Sequence, residues 1–183
     1  NQLDMDIMAK KNVKVAHNPG SNLKLASGIS PVPELLERNI CVALGTDGAA
    51  SNNNQDMLEE IRLAALLHKN NTGNPTVVPA WQALKMATKN GAQALGLEQK
   101  IGTLEVGKKA DIILFSMNEP HWFPKHNLIS TLVYSAQSAD VSDVIVNGKI
   151  LLQNKEFKTL DTEKIFYEAS RVTKELINRS QKN

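Results

Sequence analysis

The spacing of apolar and polar positions in the first third of the chain predicts two short strands joined by a helix. Residues 13–16 form a strand that runs into a polar loop at 17–22, and the continuously apolar run 40–44 is typical of a strand covered on both faces. Between them, residues 31–38 contain prolines that suit the first turn of a short helix. Strand, helix and strand make a βαβ unit, so we expect the two strands to pair in parallel.

Helical spacing of apolar residues marks three further segments. It is found over 1–11, over 54–69, where the asparagines at 52–54 offer N-caps, and over 79–96, where Trp81 is expected in the core. No methionine precedes the first segment, so the sequence predicts a chain that starts inside a helix, as a fragment of a longer protein would.

The pattern changes to that of an antiparallel sheet in the second half of the chain. The run 110–115, which contains the β-branched residues Ile112 and Ile113, indicates one strand. Residues 141–146 indicate a second, which leads through Asn147-Gly148, a strong hairpin signal, into a returning strand at 149–152. A short helix is expected within 127–136. An amphipathic helix at the C-terminus is capped by Asp161 and is expected to turn four residues inward: Ile165, Ala169, Val172 and Leu176.

Composition narrows the class of protein. With 183 residues, 42% of them hydrophobic and 22% charged, the chain is long enough for a sizeable core. The net charge of +2, without a basic stripe interleaved with aromatic residues, argues against a nucleic-acid partner. The one cysteine, Cys41, excludes internal disulfides and fits a reducing compartment. No apolar segment approaches the roughly 18 residues of a membrane span, so we expect a cytoplasmic protein without a membrane partner.

The candidate for chemistry is Asp47, which follows directly on the buried strand 40–44. Asp47-Gly48 is also a common turn pair, so a purely structural role in the turn stays open. The functional alternative is a metal ligand that also moves protons, since a carboxylate at the carboxyl end of a barrel strand can bind Zn²⁺ and accept a proton from its water.

A second set of polar residues follows the first strand in the equivalent place. His17, Asn18, Ser21 and Asn22 could contact a substrate, although each could equally fold the loop in which it lies. The other histidines are scattered, and the sequence contains no H-x-H, H-E-x-x-H, C-x-x-C, G-x-S-x-G or P-loop motif.

Several segments, in a fixed order, resemble the amidohydrolase superfamily, and specifically its 5-methylthioadenosine/S-adenosylhomocysteine deaminases and triazine chlorohydrolases. The two most specific are 17–32, which begins His-Asn-Pro-Gly-Ser-Asn, and 45–53, which begins Gly-Thr-Asp-Gly. Two further segments, 102–112 and 132–149, resemble stretches found across many amidohydrolases. The resemblance extends over essentially the whole chain.

The resemblance implies an α/β fold made of the last two βα units of a metal-dependent (β/α)₈ barrel, part of a small antiparallel β domain, and a C-terminal helix. It assigns 1–98 to the barrel, 99–158 to the β domain and 159–183 to the helix. In such a barrel an activated water attacks a ring carbon of an adenosine-type substrate and displaces ammonia. Asp47 would be a metal ligand, a proton shuttle and a substrate contact, and the His17 loop would shape the pocket without binding metal.

The ligands that the family uses besides this aspartate have no counterpart in these 183 residues. A zinc site needs at least three protein ligands, so we expect an inactive fragment whose first partner is the missing N-terminal part of the same protein. Two alternatives stay open: an amidohydrolase acting on a guanine, cytosine or triazine ring, and a non-catalytic docking piece. Open sheet edges also lead us to expect self-association.

Overall fold

The computed structural model of the chain describes residues 1–181. The predicted βαβ unit is confirmed: β1 (Lys14–His17) and β2 (Cys41–Leu44) pair in parallel, with His17 opposite Leu44, and α3 (Val32–Glu37) connects them. Because both strands run the same way, the residues that follow His17 and Leu44 emerge at the same edge of the sheet.

Five further helices belong to this half of the chain: α1 (Gln2–Lys10), α2 (Pro19–Lys24), α4 (Met57–Thr72), α5 (Ala80–Ala87) and α6 (Lys89–Ala94). The strand pair is covered by α3, α4, α5 and α6, and α2 packs on α4. The core lies between the strands, α4 and α5, and it contains Val42, Ala64 and Met86, all fully buried. Burial of these side chains is the main source of stability for this half of the chain.

The second half forms the predicted antiparallel sheet, in the order β3 (Ile112–Phe115), β4 (Val141–Val146), β5 (Lys149–Gln153) and β6 (Glu156–Phe157). The turn between β4 and β5 is Asn147-Gly148, with both residues at positive φ, as the predicted hairpin requires. Helix α7 (Leu128–Tyr134) lies within the predicted range and α8 (Thr162–Ser180) follows the sheet. Residues 182 and 183 of the predicted 159–183 helix lie outside the described residues.

Four expectations were wrong in detail. The stretch 17–22 is not all loop, because Pro19 at the first helical position, with its φ already suitable, starts the short helix α2. Helix α4 is capped by Asp56, whose carboxylate accepts from Leu58 N at 2.8 Å, rather than by the asparagines at 52–54. The helix predicted over 79–96 is interrupted at Thr88, where the backbone leaves helical geometry.

The fourth error concerns burial. Trp81 is 56% exposed, and no residue of α8 is buried within the described part of the chain. Helical spacing identifies the apolar side of a helix but not which of its residues another element covers. In α5 the covered residues are Ala83 and Met86, with Trp81 outside that face, and for α8 residues 1–181 supply no covering element.

The fold is thus mixed α/β, with one parallel strand pair and one antiparallel sheet. Residues 1–181 do not form a closed barrel. Within the same residues, no helix is both long and apolar enough to cross a membrane.

Candidate functional site

Asp47 lies three residues beyond β2, exposed, at the edge where β1 also ends. Its φ of 63° is in the left-handed region, which Asp tolerates better than most residues because its short side chain can hydrogen-bond locally. Here Oδ1 accepts from the backbone N–H of Gly48, the next residue, at 2.8 Å. The backbone geometry therefore turns the carboxylate back over its own loop.

Two serine hydroxyls donate to the other oxygen of the same carboxylate. Ser21 Oγ lies 2.8 Å and Ser51 Oγ 2.7 Å from Asp47 Oδ2. Because the Ser51, Ser21 and Gly48 donors all favour the charged form, they lower the pKa of Asp47. The carboxylate is therefore held ionised, which suits a ligand of a cation.

The loop after β2 is tied to α2 at a further point. Lys24 Nζ donates to the backbone oxygen of Ala50 at 2.9 Å and to the side-chain oxygen of Asn53. Together with the bond from Ser21 to Asp47, this contact joins two segments separated by more than twenty residues. The segments 17–24 and 45–54 thus form one structural unit.

His17 does not join this unit through its side chain. The imidazole is buried, and its Nε2 lies 3.1 Å from Nε2 of His68 on α4. Neither Nδ1 atom has a hydrogen-bond partner among the described residues. Burial, and then the nearby His68 ring, lower the pKa of His17 to about 4, and burial lowers the pKa of His68. The pair is therefore neutral at physiological pH.

Asn18, between β1 and α2, and Asn22, within α2, are partly buried. The Asn18 amide lies over Gly45, where a Cβ would come within 2.8 Å of its Nδ2. Neither side chain makes a hydrogen bond within residues 1–181, so both amides remain available to a ligand. The structure therefore brings Ser21 to Asp47, leaves Asn18 and Asn22 nearby in sequence, and turns His17 toward α4.

Sequence reasoning missed the roles of Glu60 and Asn52. Both are buried, and Glu60 Oε1 accepts from Asn52 Nδ2 at 2.7 Å. Glu60 Oε2 accepts from the backbone N–H of Gly20 at 3.0 Å. A sequence signal did exist: Glu60, Ala64 and His68 are spaced by four and share one face of α4, so an acid lies on the helix face that also carries buried apolar residues.

The described residues do not complete a metal centre. Within 1–181, no three His, Cys, Asp or Glu side chains come together in a way that could hold an ion. Asp47 fits one ligand position, since it is an ionised, exposed carboxylate. A zinc site needs at least three protein ligands, so the others would have to come from outside this chain.

The chain is similar to part of several longer known proteins. The chain is 57% identical to the 5-methylthioadenosine/S-adenosylhomocysteine deaminase of Dictyoglomus thermophilum over 177 residues, which are 97% of this chain and 41% of that protein. It is 59% identical over 168 residues to the deaminase of the same name from Moorella thermoacetica, covering 92% and 39% of the two chains. The chain thus spans about two fifths of the length of these relatives.

Solved structures match as well. An adenosine deaminase from Xanthomonas campestris with bound zinc superposes with a TM-score of 0.95 at 37% identity, over 97% of this chain and 40% of that one. The zinc complex of atrazine chlorohydrolase from Arthrobacter aurescens superposes with a TM-score of 0.87 at 31% identity, over 93% and 38%. The model of the amidohydrolase family matches residues 2–151. This chain therefore belongs to the amidohydrolase family.

Proposed function

We propose that the chain is the C-terminal part of a zinc-dependent deaminase that acts on 5'-methylthioadenosine or S-adenosylhomocysteine. The observation that carries the proposal is the Asp47 carboxylate, held ionised by three donors at the carboxyl edge of two parallel strands. Identities of 57% and 59% to deaminases of that name support the choice of substrate.

The same proposal gives each part of the chain a place in the enzyme. Residues 1–98 would supply the last two βα units of a (β/α)₈ barrel, since they contain the parallel strand pair. Residues 99–158 would belong to a small β domain, since they contain the antiparallel sheet, and 159–183 would form a terminal helix. The remaining strands and metal ligands would come from the preceding part of the same protein.

Asp47 would be the metal ligand that this chain contributes. Its lowered pKa favours the charged form needed for coordination, and it makes the carboxylate a weak base while both serines donate to it. Release of one of these donors would raise the pKa of Asp47 again, which favours a role in moving protons.

The substrate side of the proposal rests on the His17 loop. Asn18 and Asn22 carry amides that are not engaged within the described residues, and amides donate and accept hydrogen bonds as a nucleoside requires. Ser21 would act near the substrate mainly by orienting Asp47. His17 would shape the floor of the pocket from its buried position against α4.

The proposal is tested with the full-length, zinc-loaded protein. Deamination of 5'-methylthioadenosine and S-adenosylhomocysteine is followed by the appearance of the inosine products and of ammonia. We expect turnover of at least one of them, and its loss in Asp47→Asn, which keeps the size of the side chain and removes its charge. Absence of deamination in the wild-type protein would overturn the proposal.

A substrate panel separates this function from the related one. The similarity to atrazine chlorohydrolase at 31% identity makes triazines a reasonable second class, and guanine and cytosine complete the panel. Faster turnover of any of these rings than of the adenosine-type substrates would transfer the assignment to that class.

The isolated chain should not remain a monomer. Each strand of the parallel pair has one neighbour within residues 1–181, which leaves unpaired backbone groups along two edges. Several large apolar side chains of α8 are also exposed. We expect self-association in sedimentation experiments, and a monodisperse monomer of the isolated chain that does not bind a hydrophobic dye would contradict this expectation.

A further inference from the structure

The residues around Asp47 form a closed ring of contacts. Asp47 Oδ2 accepts from the hydroxyls of Ser21 and Ser51. Gly20, next to the first serine, donates its backbone N–H to one oxygen of Glu60, at 3.0 Å. Asn52, next to the second serine, donates its side-chain N–H to the other oxygen of Glu60, at 2.7 Å. We call these residues the Asp47–Glu60 ring: Gly20, Ser21, Asp47, Ser51, Asn52 and Glu60.

Glu60 is the member of this ring that lies on a helix packed into the core. It is buried, with 1% of its surface exposed, on a sixteen-residue helix whose apolar face is part of the core. A helix anchored by packing is more rigid than the loops that it contacts. Each oxygen of Glu60 receives one hydrogen bond, so the carboxylate links the first turn of α2, which follows β1, to the loop that follows β2.

The ring also requires the glycine at position 20. A Cβ there would overlap Glu60 Oε1 and would lie 3.0 Å from Asn52 Nδ2. The close approach of the α2 backbone to Glu60 is therefore possible only without a side chain. This observation links Gly20 to the placement of Glu60, independently of the hydrogen bonds.

From this geometry we propose that Glu60 is the positioning residue for Asp47. It holds Gly20 and Asn52, and through them the two serines that orient the carboxylate, although it does not touch Asp47 itself. The inference rests on the proposed function, in which Asp47 is a metal ligand. Groups behind a metal ligand commonly set its orientation, and their loss lowers metal affinity or activity by roughly 10- to 100-fold.

The first test replaces Glu60 in the full-length protein. Glu60→Gln keeps the shape of the side chain but cannot accept from both donors at once, because one of its two terminal atoms is an N–H donor. Asn52 Oδ1 cannot turn to accept from that donor without giving up its bond from the Gln55 backbone N–H. We expect kcat and zinc affinity to fall by about tenfold or more, with KM changed less and the protein still folded. Glu37→Gln, at the exposed end of α3, is the matched control and should leave both unchanged.

The second test restores both bonds, with donor and acceptor exchanged only in the bond between positions 52 and 60. In the double variant Asn52→Asp, Glu60→Gln, the new amide can accept from Gly20 N–H and donate to the new carboxylate. We expect kcat and zinc affinity to recover to within a few-fold of wild type, while each single variant remains impaired. Thermal unfolding measures the stability of each variant. Recovery of kcat and zinc affinity in the double variant would show that the single variants were impaired by loss of positioning and not by a general loss of stability.

The outcomes separate the two proposals. A wild-type protein that does not deaminate overturns the proposed function. A wild-type protein that deaminates, together with a Glu60→Gln variant of normal kcat and normal zinc affinity, overturns the positioning role alone. If Glu60→Gln does not fold, Gly20→Ala answers the same question, because its Cβ displaces the Glu60 carboxylate while leaving the charge; normal kcat and zinc affinity there would overturn the positioning role.

Discussion

Protonation of the buried His17–His68 pair should destabilise the folded protein. The Nε2 atoms of the two rings are 3.1 Å apart, so one donates to the other when both are neutral, and neither Nδ1 atom has a partner within the described residues. Glu34 opposes the lowering of the His68 pKa and Lys69 adds to it, but burial dominates. A proton added to this pair is therefore a buried charge with little compensation.

The size of the expected loss of stability follows from the pKa shift of His17. Its pKa falls from 6.5 to about 4 on folding, so between these values the unfolded chain binds more protons than the folded one. The stability that neutral His17 contributes is complete above pH 6.5 and is lost as the pH falls through this window. Since one pKa unit corresponds to about 1.4 kcal/mol, acidification from about pH 7 to about pH 5 should lower the free energy of unfolding by about 2 kcal/mol through His17 alone.

Urea unfolding at the two pH values measures this change. We expect His17→Gln, which does not titrate, to lose about 2 kcal/mol of the pH dependence shown by the wild type. The matched control is His126→Gln, at an exposed histidine, which should keep the wild-type dependence. Equal pH dependence in the wild type and in His17→Gln would refute the assignment of the buried neutral pair.

Three further substitutions test the packing and capping described above, each by urea unfolding near neutral pH. Met86→Ala empties a fully buried core position and should cost about 2–5 kcal/mol; a cost below about 1 kcal/mol would contradict its burial. Asp56→Ala removes the N-cap of α4 and should cost about 1 kcal/mol, and no loss would contradict the capping role. Asp140→Ala deprives the buried Trp122 indole N–H of its acceptor and should cost about 1–3 kcal/mol, whereas a neutral result would indicate another acceptor.

Local signals in the sequence were sufficient to predict most of the helices and strands. The Asn147-Gly148 turn and the Asp161 cap depend on residues close together in the chain, and both occur as predicted. The prediction for Trp81 was wrong because the face of α5 that meets the core carries Ala83 and Met86, and which face is covered depends on elements distant in the sequence. The predicted burial of the apolar face of α8 was wrong because no element within residues 1–181 packs on it.

The candidate site was predictable only in part. Asp47 was identified because a buried strand visibly ends just before it, and strand ends are local features. The partnership of Ser21 with Asp47 joins residues 26 apart, and that of Gly20 with Glu60 joins residues 40 apart. Such contacts depend on how β1, β2 and α4 pack, so spacing in the sequence could not reveal them.

We propose that Asp47 binds zinc in the full-length protein while the Asp47–Glu60 ring holds it in place. An X-ray structure of the full-length, zinc-loaded protein, with an anomalous map at the zinc edge, tests it directly. We expect the anomalous peak about 2.0–2.2 Å from Asp47 Oδ1. The Ser21 and Ser51 hydroxyls should remain on Oδ2. A zinc ion coordinated without Asp47, with this carboxylate turned to solvent, would contradict the claim.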